Sequence, residues 1–243
     1  MNKQEILDRI ELRQSTIKDY LHCPKMFYFK HILGIKPSFR NQALIFGSVI
    51  HKMLELIHTG QWSLDVESEF DELAEYYENA EDVPVYWKSE RNNEIRKYRA
   101  KAVEIMDNYR DKTYNQNVLI LYSETKFRVK IGGDWFTGTL DQVRQNIDGT
   151  IELIDFKTSR RKRKRAFLEN DIQLNLYSYA LKYGELLVGN KWVQPNILVD
   201  YATWYHLRNH QIRKRTTKNG SKGEEKGYPL LRTEKSIDDL RNF

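Results

Sequence analysis

Gly138-Thr-Leu-Asp141, followed after one turn by Ile151-Glu-Leu-Ile-Asp155-Phe-Lys157-Thr158, decides the reading of this chain. Both stretches are rich in strand-forming residues, and Asp148-Gly149 between them is a hairpin signal, so neighbouring antiparallel strands are expected. Asp155 and Lys157 are two apart; on a strand they leave the same face, while Phe156 points into the packing on the other. An aspartate from one strand and an Asp-x-Lys from the next therefore meet in one pocket. Phosphodiester hydrolysis calls for such a set: a metal to polarise the phosphoryl oxygen and acidify a water, and a cation to position that water and offset developing charge. Magnesium and manganese are hard, oxygen-preferring ions, so Asp141, Asp155 and the backbone carbonyl of Phe156 are candidate ligands. Lys157 is the candidate holder of the nucleophile.

Outward from this pair, strands are expected over 118–131, 135–145 and 150–157, the first two joined at Gly132-Gly133-Asp134. A helix over 167–187 and an apolar strand over 197–207 follow, giving the order helix, three strands, helix, strand. Residues 1–115 read as mostly helical. Ser15 is the expected N-cap of a helix over 16–21, and Pro24 restarts a helix whose apolar positions end near Gly34. A further helix covers 44–58, and an amphipathic one over 88–112 carries Ile95, Tyr98, Ala102, Ile105 and Tyr109 as its stripe. Residues 218–227 read as a flexible loop. The fold class is α/β, a mixed sheet flanked by helices with an N-terminal helical elaboration. It is expected as a single domain over 1–243: a helical part (1–115), a sheet and helix (116–210) and a basic C-terminal extension (211–243).

The chain has 243 residues, 40% of them hydrophobic, enough to bury one sizeable core. A net charge of +6 favours polyanionic partners. Cys23 is the one cysteine, so neither a disulfide framework nor an all-cysteine metal site can form within one chain. No apolar run suits a membrane span and the first residues lack an apolar signal core, so a cytoplasmic protein with no membrane attachment is expected.

The order of these elements resembles the PD-(D/E)xK nuclease superfamily, and within it the RecB-like exonuclease branch that includes AddB-type and CRISPR-associated nucleases. The residues that carry the resemblance are Ser15-Thr-Ile-Lys-Asp-Tyr20-Leu-His-Cys-Pro24-Lys-Met-Phe27-Tyr28, Phe46-Gly47-Ser-Val-Ile-His51, Gly138-Thr-Leu-Asp141, Asp155-Phe-Lys157-Thr158 and Gln173-Leu-Asn-Leu-Tyr177. The resemblance implies a DNA nuclease dependent on Mg2+ or Mn2+, in recombination, repair or the processing of phage and mobile-element DNA. It further implies a helicase or other recombination protein as a candidate partner. By the same resemblance His51, Asp141 and Asp155 are the metal ligands and Lys157 the catalytic lysine, with Gln173 and Tyr177, one turn apart, facing the DNA and the scissile phosphate. The Pro of the family's name is Leu140 here, and Gln142 stands where an arginine is frequent. A lone Cys23 implies no iron–sulfur cluster.

Other residues carry weaker signals. Glu124 extends the acidic cluster or is an ordinary strand carboxylate, and Glu55, one turn beyond His51, reads as a solvated helix charge. The run Arg160, Arg161, Lys162, Arg163, Lys164, Arg165 directly follows the Asp-x-Lys strand and suits a phosphate backbone, although such runs are equally solvated loops. Arg208, Arg213, Lys214 and Arg215 form a second basic group. Among Tyr76, Tyr77, Tyr86 and Trp87 most are expected in the core, with a few available to stack on bases. Cys23 is expected buried at a helix start. Two alternatives accompany the exonuclease expectation: a structure-selective endonuclease using the same site, and a catalytically silent DNA- or partner-binding module of a helicase–nuclease assembly.

Overall fold

The computed structural model describes residues 10–114, 118–159, 168, 170–207, 214–216, 222–224 and 230–235. Its N-terminal part is helical. α1 (Gln14–His22) is entered through Arg13, whose backbone N–H donates to Thr16 Oγ1 at 3.3 Å. α2 (Pro24–Phe27) begins on its proline, with Cys23 Sγ accepting the Met26 N–H, and runs straight into a π-helical turn, Tyr28–Ile32. β1 (Arg40–Asn41) leads into α3 (Gln42–His58), capped by the Asn41 side chain on the Ala43 N–H at 2.9 Å. α4 (Val66–Asn79), capped by Asp65, and β2 (Val85–Tyr86), parallel to β1, precede α5 (Arg91–Tyr114).

The strands then follow: β3 (Leu119–Ile131), β4 (Asp134–Gln145) and β5 (Ile151–Lys157), then α6 (Ile172–Tyr183), β6 (Glu185–Val188), β7 (Lys191–Val193) and β8 (Tyr201–His206). β9 (Lys214–Thr216) and β10 (Lys222–Glu224) form a separate hairpin, and β11 (Leu230–Glu234) returns to the main sheet. That sheet has seven strands in the order β11-β8-β5-β4-β3-β6-β7, with β5 and β8 parallel and every other neighbouring pair antiparallel. It is the mixed sheet flanked by helices that the sequence predicts.

Period-two alternation on β5 divides the core. Ile154 and Phe156 join the apolar residues of α3, α4 and α5 on one face; Leu153 joins those of α6 on the other. Among the described residues no helix is long and apolar enough to cross a membrane.

Several local expectations are corrected. Ser15 lies inside α1, because Thr16 makes the reciprocal bond to the Arg13 backbone. The helix expected over 167–187 is α6 alone among the described residues, since Asp171 caps it on the Leu174 N–H and Gly184 closes it, and Glu185–Val188 is a strand paired to β3. The strand expected over 197–207 begins at Tyr201. Part of the expected loop 218–227 is β10. Cys23 is half-buried rather than buried. Tyr76 and Tyr86 are exposed, and Tyr77 and Trp87 only half-buried.

Candidate metal centre

The site lies where β4 and β5 part. Their pairing runs from Gln145↔Ile151 to Gln142↔Ile154, and beyond it the Phe156 N–H is taken by the side chain of Asp141, Oδ2 accepting at 2.7 Å. A side chain thus replaces the next ladder bond, so the backbone donor stays satisfied while the strands diverge. Asp141 accordingly lies almost fully buried between them.

The alternation of β4 breaks at the same point. Leu140 and Val143, three residues apart, both pack in the α6 core, whereas Asp141 approaches His51 of α3 and Gln142 bonds His58 of the same helix. Opposite, on β3, Glu124 has a φ of +43°, a left-handed conformation that is uncommon and strained for a residue with a side chain. The two irregularities turn two successive β4 residues and the Glu124 carboxylate toward the same helix. His51 Nδ1 is 3.1 Å from Glu124 Oε1 and 3.7 Å from Asp141 Oδ2, and one ligand atom from each of the three lies within 4.8 Å of the others.

Asp155 stands beside this group, on the α6 side. Gln173 Nε2 donates to Asp155 Oδ1 at 2.6 Å and to the Tyr177 hydroxyl at 3.1 Å, while Gln173 Oε1 accepts from Lys157 Nζ at 3.2 Å. Lys157 Nζ is also ion-paired with Asp155 Oδ2. The sharing of one strand face by Asp155 and Lys157 is thus seen directly. Beneath them, His58 Nδ1 meets Ser123 Oγ at 2.9 Å and its Nε2 meets the Tyr109 hydroxyl at 2.6 Å. This buried network holds the residue next to Glu124. Burial, with Arg144 adding to it, pushes the His58 pKa down to about 4, so the imidazole is neutral near neutral pH.

The electrostatics favour a cation. Burial raises the Asp141 pKa, and the Asp155 and Glu124 carboxylates raise it further against the pull of His51 and Lys157. For His51, burial opposes the charge, but Asp141, Glu124 and Asp155 outweigh it and the pKa is raised. The proton that these carboxylates favour on His51 would be given up to a bound metal, and with His51 then neutral, three carboxylates and one lysine leave two negative charges, the complement of one divalent cation. Hard carboxylate oxygens with one imidazole suit a divalent cation. The residues present therefore fit such an ion. When bound it would supply Lewis-acid polarisation of a phosphoryl oxygen and a more acidic water.

An open cleft of about 460 Å3 leads to this group, lined by Gly47, His51, Lys52 and Glu55 of α3 with Glu124, Thr158 and others. Glu55 is ion-paired with Lys52 at 2.7 Å. A Cβ on Gly47 would stand 3.6 Å from Thr158 Oγ1, so the two motifs that contain these residues close one wall of the cleft.

His51, Asp141, Asp155, Lys157, Gln173 and Tyr177 are therefore brought together. Gln173 and Tyr177 are buried, with Gln173 bonded to Asp155 and Lys157 and its amide also donating to the Tyr177 hydroxyl. The Phe156 N–H is donated to Asp141, while its carbonyl is the group expected as a backbone ligand. Glu124, left undecided by the sequence, is the residue that completes the group with His51 and Asp141. The basic run 160–165 lies outside the described residues, as do Arg208 and Arg213.

A family model for the PD-(D/E)XK nuclease superfamily matches residues 11–242. The chain belongs to that superfamily, whose members are usually divalent-metal-dependent nucleases. A solved structure described as the crystal structure of SSO0001 is similar at 14% identity, covering 78% of this chain and 71% of that one with a TM-score of 0.28. No curated protein matches.

Proposed function

We propose that this protein is a DNA nuclease of the RecB-like branch, an exonuclease that hydrolyses phosphodiester bonds with Mg2+ or Mn2+. The observation that carries the reading is the placing of Lys157 against Asp155 beside the His51, Glu124 and Asp141 group, at the point where the sheet splits. His51, Glu124, Asp141 and Asp155 hold the ion. Lys157 orients the attacking water and offsets charge on the phosphoryl oxygens, and a half-buried ammonium does this more strongly than one in bulk water. Gln173 and Tyr177 are positioning residues: the amide fixes the Asp155 carboxylate and Lys157 at once, and the Tyr177 hydroxyl fixes the amide. DNA recombination, repair or mobile-element processing is the setting that the branch suggests, which is analogy.

The test is digestion of end-labelled linear and closed-circular DNA, single- and double-stranded, with Mg2+, Mn2+ or EDTA. Metal-dependent loss of linear DNA alone is expected, with Lys157→Ala and Asp155→Ala each slower by about 10²–10³-fold or more. Cutting of circles would assign an endonuclease. Equal inertness of wild type and both variants, with DNA still bound, would replace the catalytic reading with a binding module.

A further inference from the structure

The N-terminal helices leave their apolar side chains in solvent, which the rest of the molecule does not do to the same extent. Eight of the twenty large hydrophobic residues exposed among the described residues fall between Tyr20 and Phe39. Large apolar side chains exposed together along one segment are a mark of interaction sites. The composition of this segment distinguishes what it takes. The exposed set includes the rings of Tyr20, Tyr28, Phe29 and Phe39, and the same stretch, residues 14–39, carries four lysines and two histidines against a single acid, Asp19. Flat π-faces set among cations suit stacked bases on a phosphate chain.

The framework is fixed. Asp19 Oδ2 accepts from Lys30 Nζ at 2.6 Å and meets His31 Nε2 at 2.8 Å, tying α1 to the π-helical turn. Tyr20 packs edge-on against Phe27 with centroids 5.3 Å apart, and Lys25 stands over the Phe29 ring at 5.8 Å. A π-helical turn is a common mark of functional segments, and here it sets Tyr28 and Phe29 side by side with centroids 6.0 Å apart.

Position completes the argument. Lys18 of α1 lies 3.8 Å from Asp171, the N-cap of α6, the helix that carries Gln173. At its other end the segment leads through β1 into the first turn of α3, where Ala43 and Leu44 line the cleft that ends at His51. The aromatic segment thus links the starts of the two helices that flank the candidate metal centre.

We propose that residues 14–39 form a stacking platform for unpaired nucleotides, so that the site is supplied with single-stranded DNA. The proposal rests on the nuclease reading of the cleft and deepens it by naming the strand state of the substrate. The direct test measures binding, in EDTA so that nothing is cut, of a single-stranded oligonucleotide carrying 2-aminopurine and of a blunt duplex of the same sequence. Stacking on Tyr or Phe quenches the fluorescent base. Wild type should bind the single strand with quenching. Tyr28→Ala/Phe29→Ala should weaken that binding about tenfold or more with little quenching, and should leave duplex affinity within about twofold. Lys25→Gln should lower the salt dependence of single-strand binding by about one ion without removing the quench.

Unchanged single-strand affinity in a variant that melts like wild type would overturn the proposal, and is the result a protein-docking face would give. Equal loss on both DNAs, or wild-type binding without quenching, would overturn it too. The readout does not involve cleavage. Failure of the nuclease reading therefore appears in the Lys157→Ala digestion, and failure of the stacking proposal in the quench.

Discussion

Glu124 shows what a single residue can hide from a sequence. Asp141, Asp155 and Lys157 are legible from strand spacing and the chemistry it serves, whereas His51 and Gln173 are legible only through the family resemblance. Glu124 sits in a strand where alternation gives no reason to aim it at His51, and only its left-handed backbone does so. Such strain, roughly 1–3 kcal/mol, persists where the surroundings enforce it. The His58–Ser123 contact next to it is one such restraint. Glu124→Gln should weaken Mn2+ binding, read by calorimetry, by at least the roughly 10–100-fold cost of losing an outer-shell partner. Glu124→Gly should be more stable than Glu124→Ala by about 1 kcal/mol in metal-free denaturant melts, because glycine alone takes that φ freely. Equal stability of the two would place the cost elsewhere.

Among the elements, β3 and β4 explain the glycine that opens the Gly138-Thr-Leu-Asp141 motif. Gly138 is the cross-strand partner of Phe127, whose ring lies over it and packs edge-on against Tyr177, centroids 5.3 Å apart. A Cβ at Gly138 would stand 2.6 Å from the Phe127 ring. Gly138→Ala should therefore destabilise the fold by about 1–3 kcal/mol, as overpacking does. At about 2–4 °C per kcal/mol that is a clear fall in Tm, and an unchanged melt would mean that Phe127 moves aside freely. Legibility at this scale was uneven. The existence of α3, α5 and the three-strand meander followed from periodicity, but the end of α6 did not. The apolar run after Gly184 reads locally as more helix, and it is a strand because Leu186 finds Phe127 across the sheet. Long-range pairing of that sort leaves no local trace.

Over the whole molecule, the sheet is also held by charge. Glu152, fully buried on β5, accepts from Arg144 of β4, Thr203 of β8 and Arg232 of β11, with Arg144 and Arg232 terminal nitrogens each at 2.8 Å. One carboxylate thereby joins four neighbouring strands. Burial alone would raise its pKa, but Arg144, Thr203 and Arg232 hold it below the ordinary carboxylate range. A depressed carboxylate contributes stability above its unfolded pKa and loses it as pH falls through the folded one, so this support disappears in acid. Arg144→Ala, which removes the buried partner, should cost about 3–5 kcal/mol in urea unfolding at neutral pH. Arg232→Ala, half exposed, should cost less, and the reverse order would show that the β11 contact dominates. None of this cluster was read from the sequence, because its members lie far apart along the chain and no single motif contains them.

The candidate site draws on α3, β3, β4, β5 and α6, so its groups enter the chain one after another from His51 to Gln173. A ribosome making this protein releases His51 long before the strands that must meet it, and β5, aligned on one side by β4, gains its parallel neighbour β8 only later. An unfinished chain consequently holds the carboxylates of the candidate site before the helix that completes it. A chain that stops short of α6 therefore carries Asp155 and Lys157 without Gln173, the residue that bonds both.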